Sequence, residues 1–210
     1  MINPKCKICR RLGTKLFLKG DRCLSPKCAV LRKPYPPGAK SKRRKRGGSE
    51  YGKELAEKQK LKNWYNLRER QFRNYVEEVL EKRGQVDDAG AMLLKKFATR
   101  LDNVIFRAGI TSSRAKAKQL VSHNHFLVNE KKVNVPSYQL KKGDVISISP
   151  TSYKKPVFQN IAAVLKKQKF PSWIEVNIEK LSWKIVSDPS VEEILTPPAE
   201  ISAVFEYYSR

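Results

Sequence analysis

The sequence predicts an α+β protein that is mainly helical. Three observations carry this. Between residues 50 and 98 the apolar side chains recur mostly at three- and four-residue steps, as helices with one buried face require. Residues 99–148 then place two short helical segments, divided by a glycine, ahead of brief β-prone runs. At the N-terminus four cysteines stand as Cys6-x2-Cys9-x13-Cys23-x4-Cys28 in a segment crowded with Lys and Arg.

Residues 1–33 form a cysteine knuckle. Two tight pairs with a loop-sized gap let four thiolates converge on one metal, the arrangement of many structural zinc sites. One structural Zn2+ on Cys6, Cys9, Cys23 and Cys28 is the expected cofactor, since thiolates are soft ligands. Zinc contributes about 10–16 kcal/mol of apparent folding free energy to such segments. The same four residues suit an iron–sulfur cluster, and unmetallated thiols or two disulfides are the third reading. A reducing compartment favours metal over disulfides. Four cysteines leave no open metal position, so the role is structural.

Residues 34–49 (PYPPGAKSKRRKRGGS) form a basic arm. Its Pro and Gly break regular structure, and its run of like charge is too self-repelling to fold alone. It reads as an extended segment ordered on RNA, or as a flexible tail or targeting signal.

Residues 50–83 read as helical, with Leu55, Trp64, Leu67, Phe72, Tyr75, Val76, Val79 and Leu80 marking the buried face. Asn66-Leu-Arg-Glu69 has the form of a capping box, which splits the stretch at a bend near Trp64–Asn66. Gly84 fits a helix stop, and a further helix covers 89–98. Thr99-Arg-Leu-Asp102 suggests a capping box for a helix through Ala108, with Gly109 as its stop. Ser113 caps a second helix, from Arg114 to about Ser122, with Leu120 and Val121 facing the core. That spacing is a helix-turn-helix. Strands are expected at Phe126–Asn129, Val133–Val135 and Val145–Ile148, a short helix at 160–168, and a closing strand or extended segment at 203–208.

Charge narrows the function. The chain has 210 residues and a net charge of +24, which calls for a polyanionic partner. Residues 1–70 hold 22 basic and 5 acidic side chains, so the N-terminal third does most of the phosphate binding. No apolar run approaches the roughly 20 residues of a membrane span, and no signal peptide is visible. The expectation is a cytoplasmic protein with no membrane partner and no small-molecule substrate.

The side chains placed to meet RNA fall in four groups. The knuckle supplies Arg10, Arg11, Lys15, Arg22, Arg32 and Lys33; the arm supplies Lys40, Lys42, Arg43, Arg44, Lys45 and Arg46. The helical part adds Lys53, Lys58, Lys60 and Arg68. Residues 99–123 add Arg100, Arg107, Arg114, Lys116, Lys118, Gln119 and His123. Arg114, Lys118, Gln119 and His123 share a broad helix face whose N-terminal dipole attracts phosphate; the competing reading is an ordinary solvated face.

Catalysis has little support. The sequence holds two histidines and no GxxxxGK[ST], GxSxG or HExxH string. Asp102 reads as a helix-start or salt-bridge residue. The three tryptophans, Trp64, Trp173 and Trp183, read as core, with base stacking the alternative.

Several strings together carry a resemblance. Arg100-Leu-Asp-Asn-Val-Ile-Phe-Arg107-Ala-Gly109 runs into Ser113-Arg114-Ala-Lys-Ala-Lys-Gln119-Leu-Val-Ser-His123. Val128-Asn129, Val135-Pro136-Ser137-Tyr138 and Gly143-Asp144 follow. Arg10 to Gly20, Tyr35-Pro-Pro-Gly38, Ser49-Glu-Tyr-Gly52, Glu57-Lys-Gln-Lys60, Gln71-Phe72 and Glu206-Tyr-Tyr-Ser209 flank them. In this order and spacing they resemble the ribosomal protein S-four family of the small subunit, of bacterial or organellar type. The resemblance implies an RNA-binding domain at 99–155, inserted in a helical domain of residues 50–98 completed by 156–210. It implies a primary binder of small-subunit ribosomal RNA that nucleates assembly at a helix junction. It further implies neighbours S-three and S-five, a place where mRNA enters, an influence on decoding accuracy, and repression of its own mRNA in some members.

Two positions depart from the family. Asn129-Glu130 stands where Asn-Gly is common. Glycine accepts positive φ at little cost and glutamate does not, so this turn is expected to differ or to be shifted by Lys131 and Lys132. The linker has Gly38-Ala39-Lys40 where a Gln-His-Gly-like string is frequent. The rival readings are a free-standing RNA chaperone or ribosome-associated regulator with the same module, an RNA-modifying enzyme, which lacks its catalytic domain here, and a zinc-finger DNA regulator.

Overall fold

The computed structural model describes residues 4–38, 48–82, 84, 88–159, 161–166, 168–194 and 196–209. The arm cations Lys40, Lys42, Arg43, Arg44, Lys45 and Arg46 lie outside the described residues. The chain divides into two compact units: Met1–Leu93 with Thr196–Arg210, and Leu94–Leu195. No described helix is long and apolar enough to cross a membrane.

The first unit opens with three short helices, α1 (Lys5–Leu12), α2 (Asp21–Leu24) and α3 (Ala29–Arg32). Two longer ones follow, α4 (Glu50–Trp64) and α5 (Glu69–Glu81). Ser49 caps α4 by accepting the Gly52 N–H at 3.2 Å. The bend falls where the sequence puts it, by a different device. Asn66 turns left-handed (φ 54°). The Leu67 N–H donates back to Lys62 O at 3.0 Å and the Asn66 N–H to Asn63 O at 3.1 Å, the paired bonds that close a helix. The expected Asn66–Glu69 capping box does not form: Arg68 is the N-cap, without a side-chain bond.

The closing strand expected at 203–208 is a helix, α11 (Ile201–Ser209), packed on α4 and α5. Its aromatic and β-branched residues are mediocre helix formers, but Ile201, Val204 and Tyr208 recur at helical spacing. Val204 is buried and the Tyr208 ring lies 6.3 Å from Phe72. Packing outweighs propensity here.

Helix α6 (Ala89–Ala98) has the expected bounds and leads into the second unit. The helix-turn-helix follows as α7 (Leu101–Arg107) and α8 (Arg114–Ser122). Gly109 ends the first helix with φ 72°, and the Ser113 hydroxyl accepts the Lys116 N–H at 3.4 Å. The Thr99–Asp102 capping box is absent. Arg100 is the N-cap with no side-chain cap bond, Thr99 donates to Gln139 Oε1 at 2.7 Å, and Asp102 pairs with Arg100.

The sheet has five strands: β1 (Phe126–Val128), β2 (Lys131–Lys132), β3 (Val145–Ile148), β4 (Ile174–Asn177) and β5 (Ser182–Ile185). Their order is β2-β1-β3-β5-β4, antiparallel throughout. Three corrections follow. First, the strand expected at 133–135 lies at 131–132, because a two-residue turn sets Lys131 opposite Val128. Second, that turn keeps its form despite Glu130: Asn129 (φ 48°) and Glu130 (φ 67°) are both left-handed, as a type I′ hairpin demands. Third, β4 and β5 lie beyond the expected strands. Through β5 they extend the sheet from β3, so residues 156–194 all belong to this unit, and only residues from 196 on join the helical domain. Helix α9 (Pro156–Gln159) ends just before the helix expected at 160–168, and α10 (Ile161–Leu165) lies within it.

One sheet face carries Phe126, Val128, Ile146, Ile148, Ile174, Trp183 and Ile185 into a core shared with Leu101, Val104, Ile105, Val121 and Phe158. Trp64, Trp173 and Trp183 are all buried, the packing role expected of them.

Candidate nucleic-acid interface

The structure sorts the predicted contact residues into cations spent on the fold and cations left for a partner. Arg100 is only 1% exposed; its Nε and Nη2 donate to the two carboxylate oxygens of Asp102 at 3.0 and 2.6 Å. Burial raises the Asp102 carboxyl, and Arg100 pulls against that. Arg114 is buried too. Its Nε donates to Asn103 Oδ1 at 2.8 Å and its guanidinium lies 4.5 Å from the Phe106 ring centre. It ties α8 to α7. Arg107 donates to Glu193 O at 2.5 Å.

In the first unit, Lys58 is buried, 2.5 Å from Glu69 and 4.3 Å from the Tyr207 ring centre. Burial would raise the Glu69 carboxyl, but hydrogen bonds from Lys58 and Lys62, with their charges, outweigh it and hold Glu69 at about 2. Lys60 pairs with Glu57 at 2.5 Å. Arg10 donates to Lys33 O and Tyr35 O, each at 3.0 Å, and covers the Tyr35 ring, so it fixes the root of the arm. Of these six, Lys58, Arg100 and Arg114 are buried and hold the fold, whereas Arg10, Lys60 and Arg107 have internal partners but stay half-buried.

Most of the other described candidates face outward. Among the described residues, Arg11, Arg22, Arg32, Lys33, Lys53, Arg68 and Lys116 are exposed and make no ion pair. Lys15 is half-buried at the cysteine cavity. On α8, Lys116, Gln119 and His123 are exposed at three- and four-residue spacing and form one outward stripe. Lys118 is half-buried, within electrostatic reach of Asp102. The sequence reading missed Lys131, Lys132, Lys141 and Lys142, all exposed; the signal was two Lys-Lys pairs beside turns.

The four cysteines are free thiols lining one cavity with Leu16 and Val30. It encloses about 20 Å³, room for one particle of roughly water size. Cys9, Cys23 and Cys28 are buried. Burial pushes the Cys9 thiol up, and Cys23, Cys6 and Cys28 add to the shift, so the four sulfurs feel one another. The Lys19 backbone N–H donates to Cys23 Sγ at 3.4 Å. Donor number and chemistry suit a tetrathiolate ion. Among the described residues, no three His, Cys, Asp or Glu side chains are already drawn together as a formed metal cluster.

Residues 1–95 match the family described as Ribosomal protein S4/S9 N-terminal domain, and residues 99–146 match the S4 domain. The chain is 46% identical over 209 residues to the small ribosomal subunit protein uS4 of Caldicellulosiruptor saccharolyticus, covering 100% of this chain and 98% of that one. It is 42% identical to the uS4 of Thermus thermophilus, again over 209 residues, 100% of this chain and 98% of that protein. With the uS4 of Thermotoga maritima it shares 42% over 207 residues, 99% of this chain and 97% of the other. The chain belongs to the uS4 family of small ribosomal subunit proteins. The S4-domain match ends at residue 146, inside β3, whereas the sheet continues through β5 and β4. In this uS4-family chain the compact second unit is thus larger than the matched segment.

Proposed function

We propose that this chain is a structural constituent of the small ribosomal subunit that binds small-subunit ribosomal RNA in the cytoplasm and acts by binding alone. The observation that carries this is the stripe of Lys116, Gln119 and His123 on α8, held outward by a helix-turn-helix in which Arg100 and Arg114 are buried and paired internally. Folded RNA is read through shape, phosphates and 2′-hydroxyls, which suits a rigid helix face and the exposed arginines of the N-terminal segment. Membership of the uS4 family supports the same reading. On it, the protein nucleates assembly at an RNA helix junction beside S-three and S-five, where mRNA enters, influences decoding accuracy and represses its own mRNA.

Cys6, Cys9, Cys23 and Cys28 would hold one Zn2+. Cys6 and Cys9 on α1, Cys23 on α2 and Cys28 just before α3 would be its ligands, and its contribution would be structural, steadying the segment that carries Arg11, Arg22 and Arg32. Metal analysis with visible absorption separates zinc from an iron–sulfur cluster: equimolar zinc without a visible band supports the proposal, and iron with a broad band overturns it.

The functional test is filter binding of small-subunit ribosomal RNA across salt, against duplex DNA of equal length. Counterion release makes affinity fall steeply with salt, by about 0.7–0.9 in log–log slope for each phosphate neutralised. An R11A/R22A/R32A/K116A variant is expected to bind with a shallower slope. The protein is also expected to remain on high-salt-washed small subunits at one copy each. Preference for duplex DNA, or loss on washing as a free regulator would show, overturns the reading.

A further inference from the structure

We propose that Lys131, Lys132, Lys141 and Lys142 form a phosphate-binding tip at one end of the sheet, seated on the RNA backbone separately from the α8 stripe. This deepens the RNA-binding reading and rests on it.

The tip is built from two turns laced together. The Asn129 Nδ2 donates to Asp144 Oδ1 at 2.8 Å, while Asn129 Oδ1 accepts the Val145 N–H at 2.9 Å. Asp144 Oδ2 accepts the Lys141 backbone N–H at 2.8 Å. Gly143 N–H donates to Ile185 O at 2.8 Å, and Ile185 N–H to Asp144 O at 3.0 Å, which anchors the second turn to β5. The hairpin carrying Lys131 and Lys132 is thereby fixed beside the turn carrying Lys141 and Lys142.

All four lysines are exposed, and among the described residues none makes an ion pair. Some cations elsewhere are matched, Lys58 and Lys62 to Glu69, Lys60 to Glu57, Arg73 to Glu77 and Arg100 to Asp102, while others such as Arg11 and Lys116 are not; what sets the tip apart is that its four unmatched lysines stand on two turns hydrogen-bonded to each other. Two carboxylates lie in the tip: Asp144 has both oxygens engaged by Asn129 and the Lys141 backbone, and Glu130 is exposed in the hairpin turn, so the four lysines outnumber them. Exposed lysines on an edge strand also serve to block sheet-to-sheet pairing. That accounts for β2 alone; Lys141 and Lys142 lead into β3, an interior strand. A rigid cluster of unmatched cations spanning an edge and an interior turn fits a polyanion, and the phosphate backbone of RNA is the polyanion a small-subunit protein meets.

The test measures small-subunit ribosomal RNA binding across salt for the full chain and for a K131Q/K132Q/K141Q/K142Q variant, with thermal melting as a fold check. Since each side chain is exposed, the melting midpoint is expected to hold. The log–log salt slope is expected to become shallower by about 0.7–0.9 for each phosphate no longer neutralised, roughly two to three in total. An E130K variant, which adds a cation to the same tip, is expected to steepen it by about one such step. A parental slope in the quadruple variant overturns the proposal, even if that variant is lost from assembled subunits, since that pattern assigns the tip to an acidic protein. A shift confined to K131Q/K132Q overturns it also, because the site would not be joint. Failure of the parent chain to bind the RNA defeats the underlying reading instead.

Discussion

Replacing Glu130 with glycine should stabilise the second unit, and the size of the gain can be worked from two dihedral angles. Asn129 and Glu130 hold φ of 48° and 67°. Asparagine tolerates that region, but an ordinary L-residue in it costs about 1–2 kcal/mol. Glu130→Gly removes the cost and returns about 0.4–1 kcal/mol as extra freedom of the unfolded chain. The net gain is about 0.5–1 kcal/mol. At roughly 2–4 °C per kcal/mol for a chain of this size, the melting midpoint should rise by about 1–4 °C. Fluorescence of Trp173 and Trp183, both buried in this unit's core, reports the transition. Glu130→Ala serves as the control, because alanine keeps the strained backbone and should give no gain. The turn persists without glycine because Asn129 is clamped from both ends of its amide. A glycine variant that melts at or below the parental temperature would refute the claim that Glu130 is held under strain.

Arg100→Met should cost about 3–5 kcal/mol, the penalty for leaving a buried partner unpaired, while R100M/D102L should recover most of it; urea denaturation of both reads this, and neither should change the RNA salt slope if the variant folds. Glu69→Gln tests the pH dependence of the first unit. The Glu69 carboxyl lies at about 2 in the fold, against about 4.3 in an open chain, so its contribution is present above the open-chain value and is lost as pH falls towards 2. The parent should therefore lose stability across that acid window more steeply than the Gln variant, in acid titrations followed by far-ultraviolet dichroism; equal slopes would remove the Lys58–Glu69–Lys62 cluster from acid unfolding. Chelation with a strong zinc ligand should release one metal per chain and open residues 5–32 to protease while α4 and α5 stay protected; Cys9→Ser should do the same without chelator.

Where the sequence succeeded, the relevant interaction was local. The bounds of α6, the bend after Trp64 and the Ser113 cap of α8 each rest on residues within one or two turns. Where it failed on α11 and on three of the cations, the deciding interaction came from far along the chain; the two missing capping boxes, the shifted β2 and the Arg100–Asp102 pair were local misreadings. Helix α11 looks extended until α4 and α5 are supplied to bury Val204 and Tyr208. Strands β4 and β5 are short, yet their alternation (Ile174 and Val176, Trp183 and Ile185) was present to be read. The cation assignments show the same division. Lys58 finds Glu69 eleven residues on, Arg114 finds Asn103 eleven back, and Arg107 finds Glu193 eighty-six away; in a chain of +24 nothing local marks these three as internal.

Pairing and burial, more than the presence of charge, decide which cations are free to release counterions from RNA. A buried guanidinium that already satisfies a carboxylate gains nothing from a phosphate it cannot reach. An exposed, unmatched lysine gives up no partner when it binds one. This is why Arg100 drops out of the candidate surface and Lys131, Lys132, Lys141 and Lys142 enter it. It also makes the two kinds of residue separable: substitutions of the first kind move the melting transition, and substitutions of the second move the salt slope. A variant of a buried pair that folded normally yet flattened the slope would break that division, and with it the sorting of this surface.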